Sequence, residues 1–314
     1  MTRVAAVDLG TNSTRLLVAD VDGDRLEEVT RRLTITRLGE GVDRRRRLLP
    51  VPIARVRNCL SEYRQELEAL GAERTLCIAT SSVRDAENGE AFLGEIEWSY
   101  GFTTRLLSGT DEAAMMIRGV MAGRPPLDDV LVVDIGGGST ELVVAARGEV
   151  TSATSLDVGC VRITERFLGS DPPSRPELAA ASGYVRSLLP PLEAAGAIGV
   201  AGTVTTLATI DLGDAEYDAA RTHGHRLSLA SVEQHLEQLA GMTTDERIAA
   251  LGIEPGRASV IVAGAIVLRE VLTTYGLSEI EVSERDVLHG AAFAAAELPE
   301  QEEGAAPPGA YTCC

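Results

Sequence analysis

The sequence predicts an α/β protein built from two copies of one domain, and three observations carry that reading. Residues 4–19, VAAVDLGTNSTRLLVA, return as residues 130–145, VLVVDIGGGSTELVVA. From Asp8 and Asp134 onward, 7 of 12 aligned positions are identical, more than two unrelated turns would share. Each half then runs a short strand into a hydroxyl-rich turn and a helix start, CIATSSVRDAEN (77–88) and GVAGTVTTLATI (199–210). Each half closes on a strand, a serine and an acidic residue that open an Ala-rich helix, in RLLSGTDEAAMMIRGVMA (105–122) and IEVSERDVLHGAAFAAA (280–296). The order β-hairpin, strand, helix, strand, helix appears twice, as a duplicated α/β domain requires.

Taken in order, each copy opens with an apolar run, an Asp-x-Gly turn and a second apolar run, which is a β-hairpin with small residues at its tip. Val56, Leu60, Tyr63, Leu67 and Leu70 recur at helical spacing, so residues 55–70 form a core-facing helix. Residues 229–240 and 258–272 read the same way. Trp98, Tyr100 and Phe102 alternate and predict one face of a core strand. The segment GRPPLDD (123–129) is the expected hinge, because its prolines stop the preceding helix. The expected domains are 1–122 with the last helix (287–297), and 123–286. Residues 298–314, acidic and bearing Pro and Gly, are expected as a disordered tail.

Composition narrows the function. Hydrophobic residues make up 45% and charged residues 24% of 314, as in a globular protein able to bury its own core. No apolar run approaches the roughly 20 residues of a membrane helix. The N-terminus has no long apolar signal core. Five cysteines without zinc-ligand spacing suit reduced thiols, so a cytoplasmic setting is expected. The net charge of −18 argues against a nucleic-acid or membrane-surface binder. Arg44–Arg47 is the one basic run, read as a solvated loop. An acidic protein that holds a polyanion needs backbone N–H groups, helix N-termini and a metal ion at the contact.

The loops DLGTNS and DIGGGS have that chemistry. Gly10, Gly136 and Gly137 allow close backbone approach to a phosphate, and consecutive N–H groups form an anion nest. Thr11, Asn12, Ser13 and Ser139 add side-chain hydrogen bonds. Asp8 and Asp134 end buried strands, where a carboxylate is costly unless it meets a cation. In phosphate chemistry that cation is Mg2+, held by one or two carboxylates and by the substrate's own oxygens.

With DLGTNSTRLLV, ATSSVRDAEN, SGTDEA, DIGGGSTEL, VGCVRITERF, AGTVTTLA and VSERDVLHG in this order, the chain resembles the exopolyphosphatase / guanosine pentaphosphate phosphohydrolase family of the actin and hexokinase superfamily. The resemblance implies two ribonuclease-H-like (actin-like ATPase) domains around a central cleft, with loops 8–13 and 134–139 facing each other. It implies Glu112 as the carboxylate that activates water, and Asp134 and Glu141 as acidic residues tied to magnesium and water. It implies Asn12, Ser13, Gly136, Ser139 and Cys160 as the phosphate lining, with Arg84 reaching the same site. Gly202 and Thr203 are expected to hold distal phosphates, and Arg162 and Arg257 to line the groove.

Three positions depart from the family pattern: Asp111 stands for a glutamate, Ser259 for an aspartate, and Leu288–His289 for Arg–Glu. His223 and His225 read as surface residues. The chain is shorter than family members that carry an added helical domain. The expected activity is Mg2+-assisted hydrolysis of the terminal phosphate of inorganic polyphosphate, with guanosine pentaphosphate as the rival substrate and a homodimer as the expected state. A superfamily kinase keeps an aspartate base elsewhere and an adenosine loop not found here. A non-enzymatic actin-like scaffold has no need of Asp8, Glu112, Asp134 and Glu141 together.

Overall fold

The computed structural model describes residues 1–125, 129–146, 149–214 and 216–299. The chain divides into two compact units, Met1–Pro125 together with the stretch from Arg285, and Pro126–Glu284. Most of the expected tail, from residue 300, lies outside the described residues, as do three residues of the expected hinge.

The first unit begins with a three-strand meander, β1 (Thr2–Leu9), β2 (Ser13–Asp22) and β3 (Arg25–Ile35). There follow α1 (Val42–Arg45), α2 (Pro50–Ala69), β4 (Arg74–Ala79), α3 (Ser81–Arg84), α4 (Gly89–Tyr100), β5 (Thr103–Leu106) and α5 (Gly109–Met121). The sheet runs β3-β2-β1-β4-β5, with β1 antiparallel to β2 and parallel to β4. Val4, Ala5, Ala6 and Val7 are fully buried on the two faces of β1, because helices or neighbouring chain cover both. The periodic residues of α2 pack inward as their spacing predicts.

The second unit repeats the plan. It contains β6 (Val130–Ile135), β7 (Thr140–Ala146), β8 (Glu149–Leu156), α6 (Cys160–Phe167), α7 (Arg175–Leu188), β9 (Gly196–Val200), α8 (Ala201–Asp211) and α9 (Ala219–Thr222). It continues with β10 (Arg226–Ser228), α10 (Leu229–Ala240), α11 (Thr244–Leu251), α12 (Pro255–Ala258), α13 (Ile261–Thr274) and β11 (Glu279–Val282). The sheet order β10-β11-β9-β6-β7-β8 is that of the first unit read from its other edge, with β10 added. Each unit is therefore ribonuclease-H-like: three antiparallel strands, then two parallel strands entered through helices.

The last helix, α14 (Val287–Ala296), packs on α5, β1, β2 and β4 of the first unit. Two glycines bring α14 and α5 into backbone contact. A Cβ on Gly119 would stand 1.9 Å from the Asp286 carbonyl oxygen, and one on Gly290 1.9 Å from that of Met115. No side chain fits at either position.

Two expectations need correction. Trp98, Tyr100 and Phe102 do not share a strand face. Trp98 and Tyr100 end α4, Gly101 caps it in the left-handed region at φ 68°, and Phe102 turns into the core ahead of β5 with Tyr100 half-buried against it. Trp98 is 58% exposed. Of the Arg44–Arg47 run, Arg44 and Arg45 complete the short helix α1, and all four side chains are exposed as a solvated segment should be.

Candidate active site

In both units the hairpin tip is the same turn. Gly10 N–H donates to the Ser13 carbonyl at 3.0 Å, and Gly136 N–H to the Ser139 carbonyl at 3.0 Å. A Cβ would fall 2.9 Å from the acceptor at Gly10 and 3.2 Å at Gly136, so both turns favour glycine.

The carbonyls of these loops are held from one side. In the second unit, Gly136 O accepts from Cys160 N at 2.9 Å, and Gly137 O accepts from Val161 N at 2.9 Å and Arg162 N at 3.1 Å. Gly138 O accepts from Arg162 Nε at 2.9 Å. The first turn of α6 thus grips three consecutive carbonyls. Gly159 permits the approach, since a Cβ there would meet the Gly137 carbonyl carbon at 2.4 Å. In the first unit the grip comes from the segment after β3. Asn12 O accepts from Thr36 N at 3.1 Å and Arg37 N at 2.9 Å, and Thr11 O from Gly39 N at 2.8 Å. In a trans peptide the N–H points opposite to the C=O. The N–H groups of 137, 138 and 139, and of 12 and 13, are therefore turned to the face opposite these anchors. Successive N–H groups on one face can bind an anion.

The carboxylates at the loop bases differ between the copies. Asp8 pairs in register with Arg15, and Asp134 with Glu141. Directly opposed residues of antiparallel strands project on one face with Cβ atoms about 5 Å apart. In the first unit Arg15 supplies the cation that burial of Asp8 demands, with Nε at 2.9 Å and Nη2 at 2.6 Å from Asp8 Oδ2. Burial pushes the Asp8 carboxyl up, and Arg15 pulls it back. Asp8 Oδ1 is buried with no hydrogen-bond partner. In the second unit two carboxylates, Asp134 at 6% and Glu141 at 1% exposure, stand where the first unit has an ion pair. Glu141 Oε1 accepts from Ser155 Oγ at 2.8 Å.

Glu112 lies in the first turn of α5 and is 6% exposed. Its neighbour Asp111 is turned outward and closes a capping box with Ser108, so the departure to aspartate at 111 serves the helix start. Arg84 Nη1 donates to the Leu107 carbonyl at 2.8 Å and lies 3.5 Å from Glu112 Oε2. The two residues that the motifs ATSSVRD and SGTDE bring into question are therefore neighbours.

Several expected lining residues also brace the loops. The Thr11 hydroxyl bonds Ser81 Oγ at 3.1 Å. Thr203 is buried, with Oγ1 3.5 Å from the Ile135 carbonyl just before the second loop. Arg162, expected in the groove, holds Gly138 from behind, and Arg257 donates to the Gly202 carbonyl at 3.0 Å. Cys160 is buried, and that burial pushes its thiol up to about 11, so it is a neutral neighbour of the loop at pH 7. His225 Nε2 meets Asp211 Oδ2 at 2.8 Å, away from all of these. The sequence reading missed Gly39, Gly159, Arg15 and Asp286. The glycines of RLGEGV and VGCV were the available signal.

Among the described residues no three His, Cys, Asp or Glu side chains cluster as a metal cage. Mg2+ needs none, being held through one or two carboxylates, water and phosphate oxygens. The opposed pair Asp134–Glu141 fits that description, because like charges placed side by side are stabilised by a shared cation. Asp8 Oδ1 is a second oxygen suited to a cation or a metal-bound water.

Duplicated ribonuclease-H-like units, each with a glycine-bearing loop at its hairpin tip, define a protein of the actin-like fold class. Its kind follows from the comparisons: residues 17–297 match the model of the Ppx/GppA phosphatase family, and the chain belongs to that family. Exopolyphosphatase 2 of Mycobacterium tuberculosis is 40% identical over 321 residues, covering 94% of this chain and 99% of that protein. A guanosine-5'-triphosphate,3'-diphosphate pyrophosphatase of Aeromonas hydrophila is 28% identical over 89% of this chain and 56% of its own length. The crystal structure of the Aquifex aeolicus Ppx/GppA family member superposes with a TM-score of 0.79 at 28% identity, covering 95% of this chain and 99% of that one.

Proposed function

We propose that this phosphatase is an exopolyphosphatase that removes the terminal phosphate of inorganic polyphosphate with Mg2+. The observation that carries the reading is the pair of loops whose carbonyls are anchored from behind. Each presents N–H groups on its other face, and N–H groups suit a repeating chain of phosphates. The 40% identity to an exopolyphosphatase along nearly the whole of both chains supports the same choice.

Phosphoryl transfer needs little covalent help, so the protein acts by positioning and charge neutralisation. The Gly10–Ser13 and Gly136–Ser139 loops bind phosphate oxygens, with distal groups near Gly202. Asp134 and Glu141 would hold Mg2+, which would supply positive charge to phosphate oxygens. Glu112 orients the attacking water and takes its proton, and Arg84 holds Glu112 in place and keeps a positive charge beside it. A cytoplasmic setting, in which Cys59, Cys77 and Cys160 stay reduced, and a homodimer complete the proposal.

Guanosine pentaphosphate is the second reading, favoured by the Aeromonas relative. No site residue identified in either unit offers a platform for a purine. Phosphate release from both substrates, at matched Mg2+ and ionic strength, decides the matter. Polyphosphate should have the larger kcat/KM, and chelation should stop the reaction. Glu112→Gln should lower kcat by roughly 100-fold or more. A tenfold preference for pentaphosphate, about 1.4 kcal/mol of transition-state binding, would reverse the substrate assignment.

A further inference from the structure

A row of five charged or titratable side chains crosses the first unit, and the proposed mechanism uses only one end of it. Asp8, at the base of the phosphate loop, is held by Arg15 Nε and Nη2. The third guanidinium nitrogen of Arg15, Nη1, donates to Asp286 Oδ2. Asp286 caps α14, its Oδ1 accepting the Leu288 N–H at 2.9 Å. His289, 1% exposed, sits one turn on, with Nε2 3.0 Å from Glu28 Oε1. Glu28, with a side chain 41% exposed, is where the row reaches solvent.

The His289 ring has two ways to bond. With its proton on Nε2 alone, Nε2–H donates to Glu28, and Nδ1 accepts the Asp286 backbone N–H at 3.2 Å, closing the capping box of α14. With a second proton on Nδ1 that bond is lost, and Nδ1–H faces Asp286 Oδ1 at 3.5 Å as an ion pair. One proton therefore exchanges a helix cap for a charge contact on the carboxylate that Arg15 also uses. Burial opposes the charged ring, yet Asp286 and Glu28 outweigh it and hold the proton more tightly than an ordinary histidine does. Asp286, for its part, is kept well below the usual carboxylate range by Arg15 and His289, against its own burial.

Other charged groups around α14 are engaged elsewhere. Arg118 on α5 pairs with Glu297 and lies over the Phe293 ring. Arg74 on β4 donates to the Ala296 carbonyl, Arg285 to the Ala122 carbonyl, and Arg3 on β1 pairs with Asp20 on β2. The charges of Arg31 and Arg285 add to the lowering of Glu28. Asp286 and Glu28 are the groups that face His289 directly.

We infer that His289 is a positioning residue for hydrolysis: its protonation sets how much of the Asp286 charge remains for Arg15, and so how Arg15 holds Asp8 at the first phosphate loop. The kinetic part of this inference rests on the phosphohydrolase reading, and the structural coupling does not. The test follows the Arg15 guanidinium and His289 ring signals by NMR from about pH 5 to about pH 9, the range in which a histidine titrates. The proteins are the wild type, His289→Asn and His289→Gln, with Arg15→Lys to assign the arginine signal. Asn keeps an acceptor for the Asp286 N–H, and Gln keeps a donor for Glu28.

In the wild type the two signals should move with one midpoint, and in both variants the Arg15 signal should be flat. The kcat for polyphosphate should carry the same midpoint in the wild type and lose it in His289→Asn. That variant should turn over roughly tenfold more slowly at an almost unchanged KM. An Arg15 signal that stays still while His289 titrates overturns the inference, and so does a wild-type pH profile in His289→Asn. A wild type that releases no phosphate defeats the substrate reading instead, and the Arg15 signal tells the two failures apart.

Discussion

Ala201 opens α8 with φ at 66°, the left-handed region that an L side chain enters at a cost. It is one of four non-glycine residues described with positive φ, and the only one of them on a motif assigned to phosphate. A Cβ in this region costs about 1–2 kcal/mol. Glycine removes that cost but gives back about 0.5–1 kcal/mol in extra freedom of the unfolded chain. Ala201→Gly should therefore stabilise the protein by about 0.5–1 kcal/mol, which raises Tm by about 1–4 °C in a unit of this size.

The neighbouring position is the control. A Cβ on Gly202 would lie 2.6 Å from Arg257 Nη1, so Gly202→Ala should destabilise by displacing Arg257 from the Gly202 carbonyl. Urea unfolding followed by circular dichroism gives both differences at constant m-value. An Ala201→Gly variant that is less stable than the wild type would show that the strain does not exist and that the methyl group is needed for packing.

Three more outcomes are expected. A Cβ on Gly39 would stand 2.2 Å from Thr11 Cγ2, so Gly39→Ala should cost about 1–3 kcal/mol and raise KM by moving the first loop; an unchanged KM would separate the loop from substrate binding. Glu141→Arg gives the second unit the pair that Asp8 and Arg15 make in the first. The variant should fold, lose hydrolysis, and lose the Mg2+-induced stabilisation against unfolding, which in the wild type should reach about 2.7 kcal/mol at 100 times Kd; persistent Mg2+ stabilisation would remove Glu141 from the metal site. Asp286, held low, adds stability above about pH 4 that is lost as pH falls through its folded value. His289, held high, adds stability that is complete below about pH 6.5 and lost as pH rises through its folded value. Urea resistance should thus be greatest between those limits, and His289→Asn should shrink the alkaline decline; an equal decline would assign it to other groups.

What was legible in the sequence was local and repeated. Asp-x-Gly followed by serine specifies a turn by its own chemistry, and seeing it twice located both loops, both hairpins and the duplication. The strand β3, with the sequence RLEEVTRRLTI, gave no such signal. It is an edge strand, largely exposed, and an edge needs no apolar alternation and is often charged. Trp98 and Tyr100 were misplaced because a three-residue alternation outweighed Gly101, whose capping role marks a helix end. For Arg162 and Arg257 the sequence supplied charge and neighbourhood but not the side of the loop from which each approaches. The partnership of Arg15 with Asp286 joins residues 271 positions apart, and neither residue alone announces the other.

The return of α14 to the first unit sets an order for assembly during synthesis. The second unit is continuous in the chain and can complete itself as soon as Glu284 has left the ribosome. The first unit, although its five strands precede the second unit in the chain, lacks the helix that packs on β1, β2 and β4 until α14 is made. Until then Arg15 has no Asp286, and the apolar surface that Val287, Leu288 and Phe293 cover stays open to water. The nascent chain thus carries an unfinished first unit until α14 is made. A stall or truncation short of residue 287 would leave that unit unfinished.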